Sequence, residues 1–326
     1  MTGLKERILE AISQDLVGIE KALAENLQPY LPLVSHVAKY IMFSGGKRLR
    51  PVLMVLSARL CGYKGNYDKT LSVVFEYLHA ATLLHDDLVD GAEVRRGNPV
   101  AHSIWGNPAT VLVGDFLLAR SIAIAAKTDQ IAIINILAHA TAEMSEGEIH
   151  QLLHRRDVAL DEGQYMEVIK RKTACLIQAA CQSGALLAGA PADKVDALAQ
   201  YGHCLGSAFQ LVDDLLDYTA DSNVLGKATG ADLREGKLTL PLIHALNRAA
   251  KEDRHTMETI ILDEEFKSED FDTILDLVSK YGGIAYARKQ AGEHVDRAKR
   301  CLGIFEASKT RALLEDLADY VLTRKM

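Results

Sequence analysis

Two short stretches, HDDLVD at residues 85–90 and VDDLLD at residues 212–217, place three aspartates apiece inside runs of leucine and valine. A carboxylate that leaves water without a partner loses far more than a folded chain can spare, so any fold open to this sequence must supply that partner. On an α-helix, residues i and i+4 lie about 40° apart. Asp86 and Asp90 therefore share one stripe with Asp87 beside it, and Asp213 and Asp217 repeat the arrangement with Asp214 at the flank. A step of seven residues back from Asp86 returns within about 20° of the same face and reaches His79.

The rest of the sequence is written in the same helical language. Long runs rich in Ala, Leu, Ile, Glu and Lys are separated by most of the seven prolines, while period-two alternation bounded by turn residues is scarce and no fixed repeat appears. The expectation is an all-α fold. Helices are predicted near 3–26, 30–43, 48–61, 67–91, 100–105, 109–126, 129–154, 161–171, 173–189, 193–219, 237–250, 268–280, 282–303 and 308–323. CGYKGNYD and AGAPADK read as loops, and the absence of a long Ser/Gly/Pro-rich linker predicts one domain over residues 1–326.

Charge and cysteine content exclude several function classes. A net charge of −7 with no basic tail argues against a nucleic-acid partner. Five cysteines, Cys61, Cys175, Cys181, Cys204 and Cys301, lack zinc-ligand spacing and fit reduced thiols in a cytoplasmic protein. The start, MTGLKERILEAISQD, has charges spread through it and is expected to be a helix, not a secretory signal. TACLIQAACQSGALLAGAPA is the stretch closest to a membrane span, but its two Gln, its Ser and its Gly residues favour a buried helix pair.

Positive charge is concentrated in four places. SGGKRLRP (44–51) joins glycines to Lys47 and Arg50 at a helix start, where backbone amides and basic side chains suit an anion. GAEVRRG brings Arg95 and Arg96 directly after the first acid cluster, and adjacent arginines can each hold phosphate oxygens bidentately. KRKTA offers Lys172 and Thr173, and the segment after the second cluster offers Lys227 and Lys237. Clustered carboxylates repel one another unless cations neutralise them, and hard oxygen ligands suit Mg²⁺ shared with substrate phosphates. Carboxylates, cations for phosphate and apolar flanks together describe a site for a diphosphate attached to a hydrocarbon.

LLHDDLVDGAEVRRG, SGGKRLRP, FQLVDDLLDYTAD and LGKATGADLREGKLTLPLI resemble the trans-isoprenyl diphosphate synthases, in particular their long-chain polyprenyl branch, from about residue 40 to residue 250. The resemblance implies an isoprenoid-synthase helical bundle around a deep central cavity, with head-to-tail transfer of an allylic diphosphate onto isopentenyl diphosphate. It implies three Mg²⁺ ions, with Asp86 and Asp90 as ligands of two, Asp213 as the main ligand of the third, and Asp87, Asp214 and Asp217 in supporting roles. Arg95, Lys172, Thr173, Gln210, Lys227 and Lys237 would grip the allylic diphosphate, and Lys47, Arg50, His79 and Arg96 isopentenyl diphosphate. The family pattern also implies a homodimer, with transient membrane association for product release and the quinone side chain as one use of the product.

Product length follows from the bulk of side chains below the first cluster. Ala81 and Thr82, one turn before Asp86, are small where a short-chain enzyme is expected to carry aromatics, and Ala123, Ala125 and Ala126 are small where a deeper floor would lie. Gln151 in EGEIHQL stands where farnesyl enzymes usually carry Asp, which also favours a long product. Alternatives are a short-chain farnesyl or geranylgeranyl synthase, a terpene cyclase, and a non-catalytic subunit of a heteromeric synthase. The second aspartate cluster and the GGKRLRP segment oppose the cyclase, and the intact pair of clusters opposes the non-catalytic subunit.

Overall fold

The computed structural model describes residues 3–95, 97–219, 230–263, 265 and 267–323. In chain order the helices are α1 (Leu4–Leu27), α2 (Pro32–Phe43), α3 (Leu49–Leu60), α4 (Asp68–Val89), α5 (Ala101–Trp105), α6 (Asn107–Ala126), α7 (Ile131–Leu153) and α8 (Glu162–Ile169). They continue with α9 (Cys175–Leu187), α10 (Ala192–Thr219), α11 (Ala231–Arg234), α12 (Leu240–Arg248), α13 (Lys251–Leu262), α14 (Ser268–Lys280), α15 (Gly283–Cys301) and α16 (Lys309–Thr323). Between α4 and α5 a small antiparallel ribbon pairs β1 (Val94–Arg95) with β2 (Asn98–Pro99), Val94 opposite Pro99 and Arg95 opposite Asn98. The all-α expectation is met, and the ribbon occupies a segment read from sequence only as a turn.

The chain divides into two compact units, one of Met1–Thr141, Leu176–Gly202 and Cys301–Leu317, the other of Ala142–Cys175, His203–Arg300 and Ala318–Met326. In the first, α1 turns Ile8, Ile12, Ile19, Leu23 and Leu27 inward at helical spacing, and α3 is buried all round from Pro51 to Ala58. The aromatic centre of this core is α4, where Phe75 and Tyr77 are fully buried and the Tyr77 hydroxyl donates to the Leu23 carbonyl at 2.6 Å. Arg48 precedes α3 in a left-handed backbone conformation and is itself buried. It donates to Glu20 at 2.7 Å and Glu76 at 2.8 Å, which fixes the turn carrying Lys47 and Arg50.

In the second unit, α12 buries Leu240, Leu242, Ile243 and Leu246, and α14 contributes Phe271, Ile274 and Val278. The sequence missed α13 because its KEDRHTMETIIL is largely charged; only Met257 and Ile261 are buried. Residues 161–189, expected as two helices, run through a π-helical turn at Lys170–Ala174. Two glycines admit this wider turn. A Cβ on Gly147 of α7 would lie 2.7 Å from the Lys172 backbone nitrogen, and one on Gly206 of α10 would lie 2.6 Å from the Ala174 Cα. Arg171 strengthens the contact with α7 by donating to Glu143 and Glu146 at 3.0 and 2.7 Å.

Among the described residues, the helix long and apolar enough to cross a membrane is α6, with mean hydropathy 1.7 and 39% of its window buried, not the stretch singled out from sequence. Much of that stretch is core, with Leu176, Ile177, Ala180 and Cys181 buried.

The approach at Gly147 gives a test. Alanine gains about 1 kcal/mol of helix propensity over glycine, but a methyl group against backbone that cannot retreat costs typically 1–3 kcal/mol. Gly147→Ala is expected to lower stability by about 1 kcal/mol net in urea unfolding, and by at most about 2 kcal/mol. An unchanged or higher midpoint would show that α7 can move away from the π-turn.

Candidate functional site

Both aspartate clusters sit at helix C-termini. Asp86 and Asp87 occupy the last turn of α4 and Asp90 is its C-cap, while Asp213, Asp214 and Asp217 lie in the last two turns of α10. The C-terminal end of a helix carries partial negative charge, so the carboxylates of the last turns, Asp86, Asp87, Asp90 and Asp217, stand at ends that repel them. That term is modest, about 0.3–1 kcal/mol for an exposed charge; burial is the larger cost, and it falls on Asp87, Asp214 and Asp217, all 5% exposed or less.

At the first cluster the end of α4 is closed by Ala92 N–H donating to the Asp87 carbonyl and Gly91 N–H to that of Leu88. This reversal leads into the ribbon and returns Arg95 to Asp87. Arg95 donates through Nε at 2.8 Å and Nη2 at 2.7 Å, both to Asp87 Oδ1. Asp87 Oδ2 is buried with no hydrogen-bond partner. Arg95 thus forms an ion pair with an aspartate, a contact the sequence did not indicate. His79, Thr82 and Asp86 on α4, Asp90 at its C-cap and Arg50 on α3 are half-buried, whereas Lys47 is exposed. Ala81 is buried. Of the three alanines expected at a deeper floor, only Ala125 is buried; Ala123 and Ala126 face outward on α6.

At the second cluster the aspartates have different tasks. Asp213 is exposed. Asp217 accepts the backbone N–H groups of Ala231 and Asp232 at 3.2 and 3.0 Å and so caps α11. Asp214 accepts from the Tyr165 hydroxyl at 2.5 Å on Oδ2 and from Gln210 Nε2 at 2.7 Å on Oδ1. Burial raises the Asp214 carboxyl, the two donated hydrogen bonds pull it back, and the charges of Asp213 and Asp217 push it up again, to about 6 in all. Burial, followed by the charge of Asp214, raises Tyr165 well above the ordinary phenol range, so its hydroxyl keeps its proton and donates.

Within the second unit a cavity of about 120 Å³ is lined by Lys172, Thr173, Gln210, Asp214, Lys237 and Tyr165, among others. Lys172 Nζ donates to Gln151 at 2.7 Å and pairs with Glu148. The Thr173 hydroxyl donates to Gln210 Oε1 at 2.8 Å, and Lys237 pairs with Glu235 at 2.7 Å. The structure therefore brings Lys172, Thr173, Gln210, Asp214 and Lys237 to one wall, although Lys172 and Thr173 come from a π-turn and not from the regular helix expected. Arg96 and Lys227 lie outside the described residues.

Three features of this wall escaped the sequence. Tyr165 reads as a core aromatic in EGQYMEVI, and nothing in its spacing marks it as a partner of an aspartate nearly fifty residues later. Glu148 and the His154–Asp157 pair, 2.6 Å apart beside the same cavity, carry no motif. Among the described residues no group of three or more His, Cys, Asp or Glu side chains is gathered closely enough to hold a metal ion unaided.

Residues 31–278 match the polyprenyl synthetase family. An octaprenyl diphosphate synthase from Escherichia coli (strain K12) is 38% identical over 319 residues, 98% of each chain. Among solved structures, a polyprenyl synthase from Caulobacter crescentus CB15, complexed with calcium and isoprenyl diphosphate, superimposes with a TM-score of 0.94 at 38% identity, covering 99% of this chain and 98% of the other. A decaprenyl diphosphate synthase from Rhodobacter capsulatus does so with a TM-score of 0.93 at 40% identity, covering 98% and 99%. With its family pattern matched across most of its length and its fold shared with these enzymes, the chain belongs to the polyprenyl synthetase family.

Proposed function

We propose that this protein is a long-chain trans-polyprenyl diphosphate synthase, which condenses isopentenyl diphosphate head to tail with an allylic diphosphate in the presence of Mg²⁺. The observation that carries the reading is the pair of carboxylate clusters near the C-terminal ends of α4 and α10, where bound cations would relieve the mutual repulsion of neighbouring acids. Relatives at 38–40% identity include an octaprenyl and a decaprenyl diphosphate synthase, and a polyprenyl synthase at 38% identity was solved with calcium and isoprenyl diphosphate.

The donor set fits a hard divalent cation. Oxygen is the ligand atom throughout, Asp87 Oδ2 is buried without a partner, and the lack of a preformed cage suits Mg²⁺, which keeps waters and shares its coordination with phosphate oxygens. In this reading Asp86, Asp90 and Asp213 hold three ions, and Asp87, Asp214 and Asp217 orient or support them. When bound, the metal supplies Lewis-acid stabilisation of the departing diphosphate. Lys172, Thr173, Gln210 and Lys237, with Arg95 and Lys227, hold the allylic diphosphate; Lys47, Arg50, His79 and Arg96 hold isopentenyl diphosphate. Lys172 exchanges Glu148 and Gln151 for phosphate oxygens as the substrate arrives, which keeps its ammonium paired at every stage. The small side chains at Ala81 and Thr82 leave the growing hydrocarbon room to extend, and apolar walls keep water from the reacting carbons.

A homodimer belongs to the same reading. Helix α6 exposes Leu112 (65%) and Ile122 (46%), and the start of α7 exposes Ile131 (72%); a second copy would cover this apolar stripe. Release of a long product during transient contact with a membrane, with a cytoplasmic location otherwise, completes it.

The direct test is incubation with Mg²⁺, labelled isopentenyl diphosphate and a geranyl, farnesyl or geranylgeranyl primer, followed by separation of the dephosphorylated products by length. A discrete long linear polyprenol is expected; short or cyclic products would overturn the long-chain reading. Asp86→Ala is expected to lower turnover by at least about 100-fold without unfolding the protein, and near-normal turnover would remove Asp86 from the metal site. Ala81→Phe should shift the product ladder to shorter chains, and an unchanged ladder would place the floor elsewhere.

A further inference from the structure

The polar chain behind the second unit's cavity has a direction. An ionised carboxylate can only accept hydrogen bonds, so Asp214 obliges Gln210 to turn its amide nitrogen toward Oδ1, at 2.7 Å. That leaves the Gln210 carbonyl facing Thr173, whose hydroxyl donates to it at 2.8 Å. Tyr165 completes the arrangement from the opposite side, donating to Asp214 Oδ2 at 2.5 Å from a side chain only 4% exposed. Both oxygens of Asp214 are thereby taken by protein donors.

We propose that Tyr165 is a positioning residue: by holding Asp214 it sets the Gln210 amide and, through it, the Thr173 hydroxyl at the cavity wall. The phenol does not line up with a reacting atom; its effect reaches the ligand through three hydrogen bonds in series. A ring of this size in this place could serve packing alone, and phenylalanine would serve packing equally well. What phenylalanine cannot do is donate to Asp214, which would leave a buried carboxylate with one donor fewer and free to rotate away from Gln210. The looseness would then be felt at Thr173, which shares the wall with Lys172, and not at Lys47 or Arg50 in the first unit.

The inference rests on the reading that this cavity receives a diphosphate, so the test uses inorganic diphosphate binding as well as turnover. Affinity for inorganic diphosphate in Mg²⁺ is measured calorimetrically for wild type, Tyr165→Phe, Thr173→Val and the double variant, alongside KM for each substrate. Tyr165→Phe is expected to keep its melting temperature within a few degrees. It should weaken diphosphate binding about 10-fold and raise KM for the allylic substrate while leaving that for isopentenyl diphosphate unchanged. The double variant should bind no more weakly than the poorer single variant, because both changes interrupt one chain. Losses that multiply, or an unchanged affinity in Tyr165→Phe, would overturn the proposal. If Tyr165→Phe does not fold, Gln210→Met combined with Thr173→Val reads the same chain, and multiplying losses there would count equally against it. Non-additive binding in a protein that makes no prenyl product would sink the synthase reading and leave the positioning role intact. Product formation with multiplying losses would do the reverse, and wild type that binds no diphosphate would overturn both.

Discussion

Carboxylates at the negative ends of two long helices are the constraint to which the surrounding structure answers. The dipole cost alone is small, about 0.3–1 kcal/mol for an exposed charge. Burial makes it serious, and each buried aspartate has its own remedy: Arg95 for Asp87, the amides of Ala231 and Asp232 for Asp217, and Tyr165 with Gln210 for Asp214. The ribbon after α4 and the short helix α11 both exist where these remedies are delivered. Local structure that looks incidental in the sequence is therefore coupled to the acids it accompanies.

The lysine wall follows a parallel logic. Lys172 and Thr173 both lie in the π-turn and both line the cavity. The π-turn at Lys170–Ala174 widens the helix where both line it, and Gly147 and Gly206 let α7 and α10 approach closely enough to seat that turn. Lys172 is meanwhile kept from an unpaired burial by Glu148 and Gln151. A cation held by exchangeable partners is suited to capture an anion without paying the full cost of desolvation afresh.

Much of this was legible in the sequence. Helix periodicity located nearly every long helix, and i,i+4 spacing paired Asp86 with Asp90, both half-buried, whereas Asp213 is exposed and Asp217, paired with it by the same spacing, is buried. Composition concealed α13, because a charged amphipathic helix with two buried residues has little apolar signal to show. The π-turn left no trace, since its cause lies in glycines on two other helices. Tyr165 was hidden for the same reason: only tertiary structure places a core aromatic against Asp214. Ala123 and Ala126 show the opposite error, in which small size suggested a cavity lining for residues that face outward on α6.

The central claim is that the acid clusters are incomplete without cations that arrive with a diphosphate. It is tested most directly by titrating inorganic diphosphate calorimetrically at a series of Mg²⁺ concentrations. Diphosphate affinity should rise steeply with Mg²⁺, with more than one ion taken up per diphosphate, and should be almost lost on chelation. Affinity independent of Mg²⁺ would mean that the lysine wall alone binds the anion and that the aspartates have some other purpose.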